Sequence, residues 1–251
     1  AVRAVDAFLS SVEKTLQGGA VRPLGALAVV GPFCSPLLHV SAQVVPALIT
    51  GNTVVYKPSE KAAFIGQLVA ECFAASGFPR GVFNLLQGDR EVARRLCVHE
   101  DVVGILFSGS SEVGTRIHQD TLLQSWKRLV VEQGAKNAAI VCPDATFEPA
   151  LQNILVSAYG SAGQRPMALS RVFVHESKFD AFVKQFHERA KAFRIGLPKD
   201  NPFMGPLIEQ GVVDRYTKFL GIALREGFEV TMRGKSLDFP GSGNFVTPAI
   251  C

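Results

Sequence analysis

Short apolar runs alternating with helix-periodic segments fill the first half of this 251-residue chain and leave it few folds to adopt. Ala26-Leu27-Ala28-Val29-Val30-Gly31 is too short for a helix and is closed by Pro32. Helical residues follow up to Gly51, and the unit then repeats: strand Thr53-Val54-Val55-Tyr56, helix 61–76, strand Val82-Phe83-Asn84-Leu85, helix 89–97, strand Gly104-Ile105-Leu106-Phe107. These runs lack the polar alternation of a half-exposed strand, so both faces of each must be covered. Strands of that kind separated by helices build a parallel sheet with helices on either side. The expectation is an α/β fold whose first lobe is a Rossmann-like, doubly wound parallel sheet.

An amphipathic helix is expected before that sheet, over 2–16, because Val5, Phe8, Leu9, Val12 and Leu16 fall at helical spacing and Gly18-Gly19 ends the pattern. Past Glu132-Gln133-Gly134 the alternation loosens, with strands expected near Ala138–Cys142, Arg171–Val174 and Glu229–Met232 and helices near 146–162, 177–193 and 209–226. A boundary close to Gly134 divides the chain into lobes 1–134 and 135–251. No low-complexity linker or sequence repeat interrupts it.

Composition narrows the function classes. The net charge of +4 comes from 26 basic and 22 acidic residues spread along the chain, without the basic, aromatic-laced cluster that a nucleic-acid groove needs, so no nucleic-acid partner is expected. The apolar stretch Leu24–Phe33 is too short to cross a bilayer, and Asp6 and Glu13 stand where a secretory signal would be apolar. A soluble, cytoplasmic chain without a membrane partner is expected. Five cysteines, Cys34, Cys72, Cys97, Cys142 and Cys251, have irregular spacing and no Cys-x-x-Cys pair, so they read mostly as small buried side chains, with no metal site and no disulfide frame.

Two segments carry candidate chemistry. Phe107-Ser108-Gly109-Ser110-Ser111-Glu112-Val113-Gly114 lies where a strand runs into a helix. There, backbone N–H groups point outward and Gly109 lets the chain approach a pyrophosphate; a plain strand-to-helix turn would use the same residues. At the end of another strand, Lys57 and Glu60 within Tyr56-Lys57-Pro58-Ser59-Glu60 read either as a clasp for the hydroxyls of an adenosine ribose or as a surface pair capping the next helix.

The order of the motifs resolves part of that ambiguity. Pro23-Leu24-Gly25, Gly31-Pro32-Phe33, Val45-Pro46-Ala47-Leu48, Gly51 to Glu60, Phe107 to Ser110, Glu132-Gln133-Gly134-Ala135-Lys136-Asn137 and Gly163-Gln164-Arg165 resemble, in sequence and spacing, the aldehyde dehydrogenase superfamily. Within it, the resemblance is to the succinylglutamate semialdehyde dehydrogenases. It extends over nearly the whole chain, through Met204-Gly205-Pro206-Leu207-Ile208 to Phe245-Val246-Thr247-Pro248.

The resemblance implies a first lobe that binds NAD and a second that is part of the family's catalytic lobe. It implies NAD contacts at Val30, Pro32, Phe33, Lys57, Ser59, Glu60, Gly88, Phe107, Gly109, Ser110, Val113 and Gly134. Glu60 favours NAD over NADP, since its carboxylate would repel a 2′-phosphate. The implied reaction is hydride transfer from a thiohemiacetal followed by thioester hydrolysis, which needs a thiolate, oxyanion donors and a base. Glu132 stands at the base position, as a remnant. Where the family has its cysteine this chain has Pro166, which offers neither a thiol nor a backbone N–H. Where the family has an oxyanion-binding asparagine it has Cys34, in Pro32-Phe33-Cys34-Ser35-Pro36.

The expectation is a catalytically inactive relative that keeps NAD. A scaffold or regulatory protein without nucleotide, and a working semialdehyde dehydrogenase with its nucleophile moved to Cys34, stand as alternatives. A typical family member is about twice as long, so the chain reads as truncated at both ends. The family's tetramer is then not expected, and a monomer, a new homodimer or another protein partner takes its place.

Overall fold

The computed structural model describes residues 10, 13–14, 22–134, 136–239 and 243–251. The helix expected over 2–16 and its Gly18-Gly19 stop lie outside the described residues, apart from 10, 13 and 14. The chain divides into two units, Ala1–Gly134 and Ala135–Cys251.

The first unit is built on five parallel strands, β1 (Ala26–Val30), β2 (Thr53–Lys57), β3 (Phe83–Leu85), β4 (Val102–Gly109) and β5 (Arg128–Gln133), in the order β3-β2-β1-β4-β5. Strand β1 shows why both sheet faces are apolar. Leu27 and Val29 point to one face and pack with Val54, Tyr56, Val40, Val44, Ala47 and Val69. Ala28 and Val30 point to the other, against Ile105, Phe107, Leu96, Cys97 and Ile117. Period-two alternation along a strand and helices on both sides together account for the continuous apolar runs.

Four connections carry the helices. α1 (Pro36–His39) passes through a π turn (Val40–Val44) into α2 (Val45–Ile49), and α3 (Ala63–Ala75), α4 (Arg90–Val98) and α5 (Ser111–Asp120) follow. The expected single helix up to Gly51 is thus interrupted. At the interruption the Val45 N–H bonds Val40 O, five residues back, and the next residue, Pro46, has no N–H to continue an α ladder.

Gly66 in α3 lets that helix close on Pro58, which is fully buried directly after β2. A Cβ at Gly66 would sit 3.0 Å from Pro58 Cβ and still nearer its Cγ. Gly66→Ala is therefore expected to lower stability by about 1 kcal/mol. Overpacking against a ring that cannot turn away costs ~1–3 kcal/mol, more than the ~1 kcal/mol of helix propensity gained. Urea unfolding checks the sign, and a raised midpoint contradicts it.

In the second unit β6 (Asn137–Val141) and β7 (Leu169–Val174) form a parallel pair. α6 (Phe147–Tyr159) and α7 (Glu176–Lys191) cover one face through Leu151, Ile154, Leu155, Phe182, Phe186 and Ala190. On the other face Ile140 and Phe173 are 75% and 55% exposed. α8 (Gln210–Arg225) contributes Val213 to a smaller cluster with Leu207 and Val246, beside the short antiparallel pair β8 (Ser236–Leu237) and β9 (Phe245–Val246).

Two expectations here are corrected. No strand forms over Glu229–Met232; only Met232 bridges, to Ile250, since no strand runs beside the segment to bond the rest of its backbone. The helix expected to reach residue 162 stops at Tyr159, because Ser161 and Ala162 turn left-handed.

Candidate functional site

The strand order makes the site's location a matter of topology. Winding outward from β1 in both directions opens a crevice at the carboxyl ends of β1 and β4, where open α/β sheets bind ligands. The first-unit residues singled out from the sequence all lie on or near that edge. Val30, Pro32, Phe33 and Cys34 leave β1; Lys57, Ser59 and Glu60 leave β2; Gly88 follows β3; Phe107, Gly109, Ser110 and Val113 span the turn from β4 into α5; Glu132 and Gly134 end β5.

At β1 the chain turns tightly. Gly31 N–H bonds Lys57 O at 3.0 Å, and a Cβ on Gly31 would meet the Tyr56 ring at 3.0 Å. Burial pushes the Tyr56 hydroxyl up to about 12 and leaves it without a hydrogen-bond partner. Cys34 is half-buried and precedes Ser35, whose φ of 48° is left-handed. Burial raises the Cys34 thiol above its ordinary value, against a smaller opposing effect of a backbone hydrogen bond. That environment disfavours a thiolate.

Lys57 is the most unusual residue on the edge, a lysine only 3% exposed. Its Nζ donates to Pro58 O at 2.8 Å and lies 3.9 Å from the exposed Glu60 carboxylate. Burial lowers its proton affinity, partly offset by the charges of Glu60 and Asp89. Ser59 Oγ accepts from Lys61 N–H at 3.2 Å, so the capping role foreseen for this loop is carried by Ser59. Gly88, at φ 152°, could not carry a Cβ without striking Val92, and Asp89 beside it caps α4 through Glu91 and Val92 N–H.

At the end of β4 a Cβ on Gly109 would lie 2.6 Å from the Phe107 ring. Ser110 caps α5 by accepting from Val113 N–H at 3.4 Å, and Gly134, at φ 81°, donates its N–H to Gly109 O at 3.3 Å. A helix N-terminus is thereby presented at the crevice with its first-turn N–H groups outward.

A polar chain not foreseen in the sequence runs beneath this turn. Gln43 Nε2 donates to Ser108 Oγ at 2.8 Å, and Ser108 Oγ donates to Glu132 Oε2 at 3.1 Å. Gln43 and His39 are buried, and Gln43 Oε1 and His39 Nε2 have no hydrogen-bond partner. Burial lowers the His39 proton affinity, and the nearby Glu132 charge opposes that. The signal in the sequence was their spacing, two polar residues one turn apart on an otherwise apolar helix face.

Pro166 lies in the second unit, in a loop of unusual backbone. Ser161, Ala162 and Gly163 have φ of 56°, 54° and 70°, three left-handed residues in succession. For the first two this costs ~1–2 kcal/mol each. Gln164 holds the loop by donating to Ser161 O and Pro206 O and accepting from Ile208 N–H at 2.9 Å. Asn137 Nδ2 donates to Pro166 O at 2.8 Å and to Ala168 O at 3.1 Å. The loop at Pro166 is thus tied through backbone carbonyls, independently of the side chain at 166.

The reading of the cysteines as mostly buried is corrected. Cys97 is buried and Cys34 half-buried, but Cys72, Cys142 and Cys251 are exposed, Cys72 on the outward side of α3 and Cys142 just past the end of β6. Among the described residues no group of three His, Cys, Asp or Glu side chains is placed to hold a metal, and no helix is long and apolar enough to cross a membrane.

Residues 8–251 match the sequence model of the aldehyde dehydrogenase family. The chain is 36% identical over 221 residues to an N-succinylglutamate 5-semialdehyde dehydrogenase of Novosphingobium aromaticivorans, covering 86% of this chain and 47% of that protein. It is 35% identical over 245 residues to malonate-semialdehyde dehydrogenase 1 of Geobacillus kaustophilus, covering 96% and 50%. Betaine aldehyde dehydrogenase of Staphylococcus aureus, solved in complex with NAD+, superposes with a TM-score of 0.83 at 30% identity over 90% of this chain and 46% of that one. A lactaldehyde dehydrogenase structure gives 0.86 at 32% identity over 91% and 48%. The chain spans about half the length of the curated relatives it matches.

Proposed function

The chain belongs to the aldehyde dehydrogenase family, and from that premise we propose that it holds NAD on the carboxyl edge of its five-stranded sheet but does not oxidise aldehydes. The observation that carries the second half is Pro166. The loop around it is anchored by Asn137 and Gln164, yet the residue at its centre has no nucleophilic atom and no N–H to donate to an oxyanion. Cys34 does not replace it, because burial raises its thiol above the ordinary value and the family resemblance gives that position an oxyanion-binding role rather than a nucleophilic one.

Three features support nucleotide binding. Gly109 and Gly31 leave backbone surface that a side chain could not share with its neighbours. The α5 N-terminus faces the place where a pyrophosphate would lie. Lys57 is a buried cationic donor with a carboxylate, Glu60, beside it, a pair suited to two ribose hydroxyls and unsuited to a 2′-phosphate. When bound, NAD supplies a hydride acceptor; the residues here bind and orient it, and none supplies the thiohemiacetal from which a hydride would come.

Calorimetric titration of the chain with NAD is expected to give saturable heat, and NAD to raise the melting temperature in a concentration-dependent way, as ligand binding to the native state requires. NADP is expected to bind more weakly. Absence of heat and of any thermal shift up to millimolar NAD would overturn the nucleotide reading.

A further inference from the structure

We propose that two copies of this chain join edge to edge through β6, antiparallel across a two-fold axis at Ile140, so that two two-stranded sheets become one of four strands. The inference rests on the second unit alone and is independent of the nucleotide reading.

The free edge follows from the alternation of backbone groups along the strand. Val141 O accepts from His175 N–H at 3.0 Å, so Val141 and, two residues back, Ala139 turn their backbone groups toward β7. Ala138, Ile140 and Cys142 turn theirs the other way. There, among the described residues, no strand lies and no hydrogen bond engages their N–H groups. Proteins ordinarily guard such an edge with charge, proline or a covering segment. From Asn137 to Cys142 there is neither a charge nor a proline, and Ile140 is 75% exposed. Strand β7, by contrast, carries Arg171.

The occupant that fits this edge is the same strand of a second copy. Centred on Ile140, an antiparallel pair sets the two Ile140 residues opposite each other, with both N–H groups and both carbonyls already directed at the partner. The Cys142 N–H of each copy then meets Ala138 O of the other. Ile140 is also the neighbour of Phe173 across β6 and β7, both exposed on the outward face. The joined sheet therefore carries an unbroken apolar row in which each Ile140 is flanked by Phe173 on one side and by its twin on the other, and cross-strand contacts of this kind stabilise a sheet.

Charge selects the register and the direction. Lys136 and Asp144 stand four residues before and four after Ile140, and both are exposed. Among the described residues neither is in an ion pair. The antiparallel register brings Lys136 of each copy beside Asp144 of the other, two pairs of opposite charge. A slip by two residues separates both pairs, and a parallel arrangement sets like charge against like.

Sedimentation velocity over a range of concentrations is expected to show the wild type in monomer–dimer equilibrium. Ile140→Lys places two like charges at the axis and is expected to be monomeric where the wild type is mostly dimeric. Its urea midpoint below the dimer range should match the wild type, since the side chain is exposed in a single copy. Ile140→Pro removes the N–H aimed at the partner and leaves the ladder to β7 alone, as edge strands tolerate, with the same expected result. Lys136→Asp is expected to weaken the dimer roughly 2- to 30-fold, the worth of two exposed ion pairs, and adding Asp144→Lys to restore it. A wild type that is monomeric at every soluble concentration overturns the inference. So does a dimer that survives both changes at Ile140, or one that Lys136→Asp weakens and Asp144→Lys does not rescue. Should Ile140→Pro fail to fold, Ile140→Lys and the charge exchange decide.

Discussion

Pro166→Cys, made alone, is expected to leave NADH production from a panel of semialdehydes at background. The change restores both a thiol and a backbone N–H at the centre of the second unit's anchored loop. It should leave the loop intact, because Asn137 bonds the carbonyl of residue 166 and not its side chain. What the family resemblance still finds missing is the asparagine that it implies as a side-chain donor for the oxyanion, at whose position this sequence has Cys34. Removal of one such donor costs about 100- to 1,000-fold in turnover. Pro166→Cys combined with Cys34→Asn is therefore expected to exceed Pro166→Cys alone by that factor. Cys34→Ala in the native background should change nothing. Robust turnover from Pro166→Cys by itself, or native turnover abolished by Cys34→Ala, would show that the lesion has been placed on the wrong residues.

The second large effect concerns Lys57. Lys57→Met keeps the length and the apolar stem but removes the buried cation, and NAD affinity is expected to fall about 10- to 100-fold, the worth of a charge-assisted hydrogen bond. Stability should not fall with it. Burial lowers the proton affinity of Lys57, so over the pH range between its lowered value and the ordinary 10.5 the unfolded chain binds more protons than the native one. Wild-type stability should accordingly rise as pH climbs through that range, and the Lys57→Met variant should lose this slope. Denaturant unfolding at several alkaline pH values measures both. A variant that binds NAD as tightly as the wild type would remove Lys57 from the site.

The parallel sheet was legible because its inner strands have to be apolar on both faces, and only short uninterrupted runs such as Ala26–Val30 satisfy that. β5 was not, for the complementary reason. It is the outer strand, and Arg128-Leu129-Val130-Val131-Glu132-Gln133 mixes charge with apolar residues because much of it faces solvent. Glu229–Met232 misled in the opposite direction, since alternation favours a strand locally but says nothing about whether a partner lies alongside. Of the site, Lys57 and Gly109 could be read from their positions at strand ends, Glu132 from the family motif it heads, and Pro166 and Cys34 from motifs that differ by one letter. The Gln43–Ser108 bond spans 65 residues and is a product of tertiary packing. The successive left-handed residues at 161–163 also escaped notice, because only Gly163 is of a type that adopts such backbone freely.

The central place of β1 has a consequence for how the protein is made. On one side Val30 pairs with Lys57, but its other neighbour is Phe107 of β4, which the ribosome adds much later. At roughly 5–20 residues per second, the stretch from Lys57 to Phe107 leaves one edge of the most apolar strand open for about 2.5–10 s of synthesis. A half-built sheet with an open apolar edge is what holding chaperones recognise and what aggregation starts from. The interval between residues 57 and 107 is thus the vulnerable stage in the birth of this protein. Variants that delay β4 should reduce its yield in cells more than their effect on the finished fold would suggest.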